Sequence, residues 1–359
     1  MLTFFIRVKR VTEISHAFFS LKDNKNNKVK SVFKLRNQEL IILVVTVVIF
    51  FLFSIFLNNF FTTGNLLTLM RSVSILGILS IGMAVVVISK GIDLSLIATL
   101  AVGTAAASVL SSPDVMPAFQ LPFIYAVILG LIFVVFFCCI TGVLVAYWDM
   151  ASVFVTLAMA GVIYGSGRTL FIRDELNYLP KDAIWLEFLG RGQFLGIPMP
   201  IFCFLGVALI VHLLMTKSTF GKFVYSIGDS GLAARTAGVP VRPILVMIFV
   251  LAGIIAYFAG LLTAGAISSI NTRMVAGSMI YDVLLVVVVG GIGLSGGKGG
   301  MHNVILGTLL IGTLLNGMVI MDISFIVQNL IKGIILLLAI MTDTLLNPRD
   351  EQTTQQGDI

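Results

Sequence analysis

Charged side chains are scarce in this chain of 359 residues. Asp, Glu, Lys and Arg make up 11% of it, whereas hydrophobic residues make up 58%. A soluble domain carries about 25% charged residues. No single globular core would hide so much apolar surface, so we expect lipid to surround most of the chain. The scarcity of charge therefore excludes an ordinary soluble domain.

Cysteine is also scarce. The three residues, Cys138, Cys139 and Cys203, all lie within apolar runs. Their spacing fits neither a disulfide framework nor a metal site, and we interpret them as small buried hydrophobic residues. The three histidines lie far apart and share no ligand pattern. Since no residues have the arrangement of a nucleophile with its base, we expect neither catalytic residues nor a metal in this chain.

A phosphate-binding loop for ATP is missing from the sequence. Gly297-Lys298 is followed by Gly299 instead of Ser or Thr, and Ile292 stands where the upstream glycine would be. The stretch 291–296 does fit the dinucleotide pattern G-x-G-x-x-G. However, no acidic residue follows about 20 positions later, and the next segment is apolar. We therefore expect no cofactor in this chain, and ATP would have to be bound by a partner subunit.

Positive charge is present in modest excess, with a net charge of +6. The cations cluster near the N-terminus and at the ends of apolar runs, as the orientation of a membrane protein requires, so we do not expect a nucleic-acid partner. Most Lys and Arg residues fall on one side when the N-terminus is placed in the cytoplasm. This bias predicts that both termini are cytoplasmic and that the number of spans is even.

Ten apolar segments approach the length of about 20 residues that a membrane span requires. The predicted spans are 39–57, 72–89, 92–110, 122–147, 150–167, 197–215, 243–262, 279–293, 302–321 and 325–342. The pattern predicts an all-α polytopic membrane protein with about ten transmembrane helices. Residues 37–343 would form the transmembrane domain, residues 1–36 a basic cytoplasmic tail that begins with an interfacial helix, and residues 344–359 a second cytoplasmic tail.

The most polar interruption of these segments is the loop 216–242. Its centre, Asp229–Arg235, predicts a short helix that Ser230 caps and that Gly238 and Pro240 end. A short capped helix between two spans must lie on one face of the membrane, and the cations around it favour the cytoplasmic face. The loop is either an ordinary interfacial connection or a docking element for a soluble partner.

Polar residues in or beside the apolar segments are candidates for function, because they are costly in lipid. Asp93 and Asp282 each open a predicted span, where either a helix cap or a contact with a solute would explain them. Lys332 would pair with one of these aspartates or extend to the membrane surface. Asn316 would either join two helices or line a pathway.

Two further stretches leave alternatives open. Residues 91–95 and 291–295 read Gly-Ile-Asp-Leu-Ser and Gly-Ile-Gly-Leu-Ser after valine-rich runs. They are either chance matches or a repeat of helix, glycine break and helix, as found in transporters. The longest predicted outer loop, 168–196, mixes both signs of charge with aromatic residues. It would either receive a delivering protein or cover the spans.

Four segments carry a resemblance to a known family. They are Lys90–Ser95, Val155–Leu157, Phe220–Gly238 and Gly290–Gly299, and Asn316-Gly317 follows them. Together they resemble the permease subunits of bacterial ABC importers for monosaccharides, of the ribose/xylose/galactose type. The resemblance covers about residues 40–342, and its last two segments are the most specific.

The resemblance implies the fold of an ABC importer permease, a transporter subunit and not an enzyme, in the bacterial inner membrane. The short helix would be a cytoplasmic coupling helix seated on an ABC ATPase subunit. Further partners would be a periplasmic sugar-binding protein and a second permease copy or paralogue. The implied ATPase contacts are Ser230, Gly231, Leu232, Ala233, Ala234, Arg235 and Gly238. The residues proposed for the solute route or gate are Asp93, Ser95, Asp282 and Asn316.

The sequence departs from the family pattern at three places. Gly231 and Leu232 replace an acidic pair, Ile280 replaces a glutamate, and Ala151 replaces a proline. These departures favour a diverged paralogue, for example one that imports a signalling sugar of the autoinducer-2 class. A secondary transporter driven by an ion gradient, with titrating carboxylates at 93 and 282, is a second hypothesis. A membrane enzyme that binds a nucleotide at 291–296 is a third.

Overall fold

The computed structural model describes residues 37–112 and 121–346. The predicted tail 1–36, with its interfacial helix, lies outside the described residues, and so does the predicted C-terminal tail from residue 347 onward. The chain divides into two compact units, residues 1–41 and 42–359. Of the first unit, the structure describes only residues 37–41, which begin a helix.

The described chain is mostly helical. Its helices are α1 (Asn37–Phe56), α2 (Thr63–Ile88), α3 (Leu96–Ser111), α4 (Phe123–Tyr147), α5 (Ser152–Leu170), α6 (Ile184–Arg191), α7 (Met199–Lys217), α8 (Thr219–Asp229), α9 (Gly231–Thr236), α10 (Val241–Ile267), α11 (Met279–Val289), α12 (Met301–Ile320) and α13 (Phe325–Leu346). Short strands and one 3-10 helix complete it: β1 (Leu176–Tyr178), β2 (Gln193–Phe194), β3 (Ile197–Pro198), β4 (Ser269–Asn271) and the 3-10 helix Thr272–Ala276.

All ten predicted apolar segments are helices, which confirms the all-α polytopic class. Within residues 37–112 and 121–346, eight of them are long and apolar enough to cross a membrane: α1, α2, α4, α5, α7, α10, α12 and α13. The other two, α3 and α11, have 16 and 11 residues. At 1.5 Å per residue α11 is about 16 Å long, roughly half the thickness of the hydrocarbon core. The prediction of a span at 279–293 was therefore too long, because the helix ends at Val289 before two glycines.

The start of α2 was predicted too late. It begins at Thr63, where the Thr62 hydroxyl accepts a hydrogen bond from the backbone N–H of Asn65. The sequence places Arg71 near the expected boundary, but the helix runs through it. The Arg71 guanidinium donates to the backbone oxygen of Arg191 at 3.2 Å, so this charge is accommodated by a contact distant in sequence.

The core lies around α2, α3 and α10. Every residue of α3 is buried, and α10 packs against α2, α3 and α4. The buried polar side chains of α3 are hydroxyls, which are small enough for close packing between apolar helices. The short helix α3 is therefore enclosed by neighbouring helices along its whole length.

The predicted outer loop 168–196 is a folded cover. Strand β1 pairs antiparallel with β4, with Asn177 opposite Ile270, and α6 packs against α10. The hydroxyl of Ser268 donates to the Glu187 carboxylate at 2.9 Å. These contacts support the interpretation that the loop covers the spans, while reception of a delivering protein stays a prediction.

Candidate functional site

The short helix of the polar loop forms as α9, but it begins later than predicted. Ser230 has extended backbone (φ −151°, ψ 108°), and its hydroxyl accepts from the N–H of Ala233 at 3.3 Å. Ser230 is therefore the N-terminal cap, as predicted. Asp229 was expected inside this helix. It is instead the last residue of α8, because the extended Ser230 separates the two helices.

The other end of α9 closes at the predicted glycine. Gly238 is in the left-handed region with φ of +83°. Its N–H donates to the Arg235 oxygen, and the N–H of Val239 donates to the Ala234 oxygen, each at 3.0 Å. This pair of bonds is the Schellman motif that commonly ends helices. Because both ends are fixed by hydrogen bonds, α9 is a small body of defined shape.

One face of α9 is turned outward. Leu232 is 58% exposed and Arg235 is exposed, whereas Ala234 is 4% exposed and faces the protein. The Arg235 guanidinium donates to Asp149 at 3.2 Å, from the loop between α4 and α5. Since both side chains are about half exposed or more, this ion pair contributes at most about 1 kcal/mol to stability. Asp149 was missed by sequence reasoning, although it is the acidic residue in a short connection between two predicted spans.

An open cavity of about 440 Å³ lies beside α9. It is lined by Tyr147, Arg235, Pro240, Val241, Arg242 and Pro243. The Arg242 guanidinium lies 5.4 Å from the centre of the Tyr147 ring, at cation–π distance, and 3.9 Å from Asp149. The neighbouring side chain of Trp148 is 70% exposed. The surface around α9 thus combines two guanidinium groups with exposed apolar side chains.

The end of α8, the loop after α2 and the loop after α11 meet at close range. The N–H of Gly297 donates to the Ile88 oxygen at 2.8 Å, and the Lys90 ammonium donates to the Asp229 oxygen at 2.9 Å. A Cβ atom on Gly228 would lie 1.8 Å from the Ile88 oxygen, so only glycine fits between these segments. We call the contact of residues 88–95, 225–229 and 290–300 the loop junction.

Two more hydrogen bonds extend the loop junction. The Tyr225 hydroxyl donates to the Gly299 oxygen at 2.8 Å. The Thr156 hydroxyl accepts from the N–H of Leu94 at 3.0 Å. The junction therefore brings together all four segments that carry the family resemblance, although they are spread over more than half of the chain.

The echo between 91–95 and 291–295 has a structural counterpart at the helix ends. The N–H of Gly91 donates to Val86 and that of Ile292 to Val287, at 3.0 and 3.1 Å. The preceding residues, Lys90 and Gly291, are both left-handed, with φ of +67° and +94°. Helices α2 and α11 thus end in the same way. The equivalent residues are shifted by one position from the sequence echo, since Lys90 corresponds to Gly291.

The loop after α2 and the loop after α11 each contain a backbone N–H that donates to a carboxylate, but the carboxylate comes from different places. Asp93 is 2% exposed, and its carboxylate accepts from the N–H and the hydroxyl of Ser95 at 2.9 and 2.6 Å. Asp93 does not open the span as expected, because α3 begins at Leu96 with Ser95 at the cap position. In the second loop the N–H of Leu294 donates at 3.2 Å to Asp343, which comes from α13.

The other residues proposed for the solute route lie elsewhere. Asp282 is in the first turn of α11 and pairs with Lys332 at 2.8 Å, so of the two alternatives for Lys332 the structure has the ion pair. The side-chain amides of Asn316 and Asn65 exchange hydrogen bonds at 2.9 and 3.0 Å and join α12 to α2. Of the four proposed route residues, the structure brings only Asp93 and Ser95 together.

Comparisons with known proteins all identify transport permeases. The model of the family described as "Branched-chain amino acid transport system / permease component" matches residues 65–340. The ribose import permease protein RbsC of Bacillus subtilis (strain 168) is 34% identical over 291 residues, which are 81% of this chain and 88% of that protein. The L-arabinose ABC transporter permease protein AraH of Azospirillum brasilense is 31% identical over 312 residues, 84% of this chain and 86% of that protein.

A third relative covers nearly the whole chain. The probable ABC transporter permease protein YphD of Escherichia coli (strain K12) is 29% identical over 339 residues, 94% of this chain and 99% of that protein. No solved structure matches the chain. The residues matched by the family model, 65–340, include the loop junction, α9 and the chain from the first turn of α2 to near the end of α13.

Proposed function

This chain belongs to the family described as "Branched-chain amino acid transport system / permease component". We propose that it is the transmembrane subunit of an ATP-driven importer of a small sugar. It is a multi-pass protein of the inner membrane, and its relatives are transporter subunits. The proposal assigns ATP binding and hydrolysis to an ABC ATPase subunit. It assigns delivery of the sugar to a periplasmic binding protein, and the other half of the pathway to a second permease copy or a paralogue.

The observation that best supports an ATPase partner is the exposed face of α9. The helix is closed at both ends by hydrogen bonds, and it presents Leu232 and Arg235 outward. A partner that closes on ATP must pass its movement to the membrane domain through a rigid element, and a capped helix transmits displacement better than a coil. In this proposal Leu232 fills an apolar pocket of the ATPase. Arg235 leaves its exposed ion pair with Asp149 and pairs instead with an acidic residue of that subunit.

The proposed solute is a neutral polyhydroxylated molecule. Two of the three relatives named above are ribose and L-arabinose permeases. A neutral sugar needs hydroxyl and amide partners and no fixed charge along its route. The ion pair of Asp282 with Lys332 and the hydroxyl-bearing α3 are consistent with such a route, because the two charges of the pair neutralise each other and the buried polar side chains of α3 are neutral.

The proposed orientation places both termini and α9 in the cytoplasm. It follows from the excess of Lys and Arg on one side of the predicted spans. With α9 in the cytoplasm, the ATPase would meet it where ATP is available. The folded cover formed by β1, β4 and α6 would then face the periplasm and the binding protein.

The experiment that tests the proposal is uptake by the assembled complex. The chain, co-expressed with its ATPase subunit, should co-purify with it in mild detergent. In proteoliposomes with binding protein supplied outside, ATP should drive uptake of a labelled sugar. Pentoses, hexoses and autoinducer-type sugars are then compared as competitors to identify the solute. Uptake driven by an imposed ion gradient with the chain alone would instead establish a secondary transporter and refute the proposal.

A further inference from the structure

The C-terminal end of α8 is capped by a side chain from a distant segment. Asp229 is the last residue of α8, and its backbone oxygen accepts a hydrogen bond from the Lys90 ammonium at 2.9 Å. The last carbonyls of a helix lack partners within the helix and lie at the negative end of its dipole, so a cation is favourable there. Since α9 begins at Gly231, this ammonium group lies at the hinge between α8 and α9.

The backbone of Lys90 is in a conformation that normally favours glycine. Its φ is +67°, in the left-handed region, and it ends α2 in the same way that Gly291 ends α11. At the equivalent position of the second loop the chain thus uses glycine, but here it retains a lysine. Residues in this region persist where the surrounding structure fixes them, and they are common at functional sites. Among residues 37–112 and 121–346, the hydrogen-bond partner of the Lys90 ammonium group is the backbone oxygen of Asp229 at the end of α8.

The same end of α8 is held from the other loop. Gly228 leaves no space for a Cβ beside Ile88, whose oxygen accepts from the N–H of Gly297. One turn earlier on α8, the Tyr225 hydroxyl donates to Gly299. The hinge of α8 and α9 is therefore in direct contact with both loops, and the Lys90 ammonium is the side chain that joins the first loop to it.

We propose that Lys90 is a positioning residue for energy coupling. It holds the hinge between α8 and α9 against loop 89–95, while the Tyr225 hydroxyl bond to Gly299 and the close packing of Gly228 on Gly297 hold it against loop 290–300. A displacement of α9 then moves both loops together. The inference rests on the proposed function, because the displacement is the movement that an ATPase delivers to α9.

The test uses three variants of Lys90 in the complete transporter. Lys90→Gly keeps the left-handed backbone and removes the ammonium group. Lys90→Met removes the charge and keeps most of the length of the side chain. Lys90→Arg keeps a cationic donor and is the matched control. Because Lys90 is exposed and its contact contributes little to stability, all three variants should fold and bind the ATPase.

The measurement is the number of sugar molecules imported per ATP hydrolysed in proteoliposomes. We expect this ratio to fall by up to about fivefold in Lys90→Gly and Lys90→Met, the effect of losing one exposed charge-assisted hydrogen bond, and to stay near wild type in Lys90→Arg. A wild-type ratio in Lys90→Gly would overturn the inference. Loss of ATPase binding in Lys90→Gly would also overturn it, since the lysine would then be structural.

Failure of the proposed function itself would look different. In that case the wild-type complex would show no ATP-dependent uptake, whatever residue stands at position 90. A wild-type complex that transports, with variants that hydrolyse ATP at the normal rate and import less, separates the two questions.

Discussion

The ammonium nitrogen of Lys332 lies 2.8 Å from a carboxylate oxygen of Asp282 and joins α13 to the first turn of α11. The same nitrogen donates to the Ser278 hydroxyl at 3.1 Å. The side chains of Lys332 and Asp282 are only 6% and 15% exposed. Eleven residues further along α13, about 16 Å away, Asp343 accepts from the second loop. Polar contacts thus attach α13 to α11 and its following loop at two levels.

Removal of one partner of this ion pair should destabilise the protein strongly. Lys332→Met leaves the Asp282 carboxylate buried without its cation, a loss that typically reaches about 3–5 kcal/mol. The double variant Lys332→Met with Asp282→Leu should recover most of this loss, because no charge is left in the apolar segment. Thermal unfolding of the purified protein in detergent measures both. A double variant no more stable than the single one would contradict this account.

The amide pair of Asn316 and Asn65 gives a test between its two interpretations. If it joins helices, Asn316→Leu should lower stability by about 1–3 kcal/mol, because Asn65 loses a partner. The double variant with Asn65→Leu should be no worse than the single one, and the ranking of competing sugars should not change. A changed ranking at unchanged unfolding temperature would instead assign Asn316 to the solute pathway.

Charge reversal at Arg235 tests the docking face. Arg235→Glu places a carboxylate beside Asp149 and removes the outward cation, so we expect transport and ATP hydrolysis to become uncoupled while the chain still inserts in the membrane. Asp149→Asn is the control. It removes the exposed ion pairs with Arg235 and Arg242, each worth about 0–1 kcal/mol, but leaves the outward cation in place, and should retain coupling. Normal coupled hydrolysis in Arg235→Glu would argue against a role for this residue in docking.

The orientation predicts which side of the membrane each loop faces. In a variant whose three cysteines are replaced by alanine, Leu195→Cys and Lys222→Cys each add one exposed thiol. An impermeant maleimide added to spheroplasts should label residue 195 at once and residue 222 only after the membrane is opened. Labelling of residue 222 from outside would place α8 and α9 in the periplasm and exclude the proposed ATPase contact.

Local signals in the sequence predicted local structure well. The cap at Ser230 and the end at Gly238 depend on a hydroxyl and a left-handed glycine within the same ten residues, and both formed as expected. The apolar runs likewise predicted ten helices, because a chain surrounded by lipid must satisfy its backbone hydrogen bonds within each segment. The residues at which these helices begin and end were less predictable where contacts between distant parts of the chain are involved. Arg71 lies inside α2, and its guanidinium group donates to the backbone of Arg191, which is 120 residues away.

The site required contacts that no local pattern contains. Asp149 meets Arg235 across 86 residues, and Asp343 reaches a loop 49 residues earlier. Asp93 was interpreted as the opening residue of a span, whereas it stabilises the turn before Ser95. The resemblance named four separate segments, but only the fold shows that they meet at the loop junction.

The packing of Gly228 has a consequence for how this protein varies. A Cβ atom there would lie 1.8 Å from the Ile88 oxygen. Every missense change reachable from a glycine codon by one nucleotide introduces a side chain with a Cβ. The codon for residue 228 therefore has no tolerated missense neighbour. In a random library selected for growth on the imported solute, this position should remain glycine while the flanking exposed residues vary.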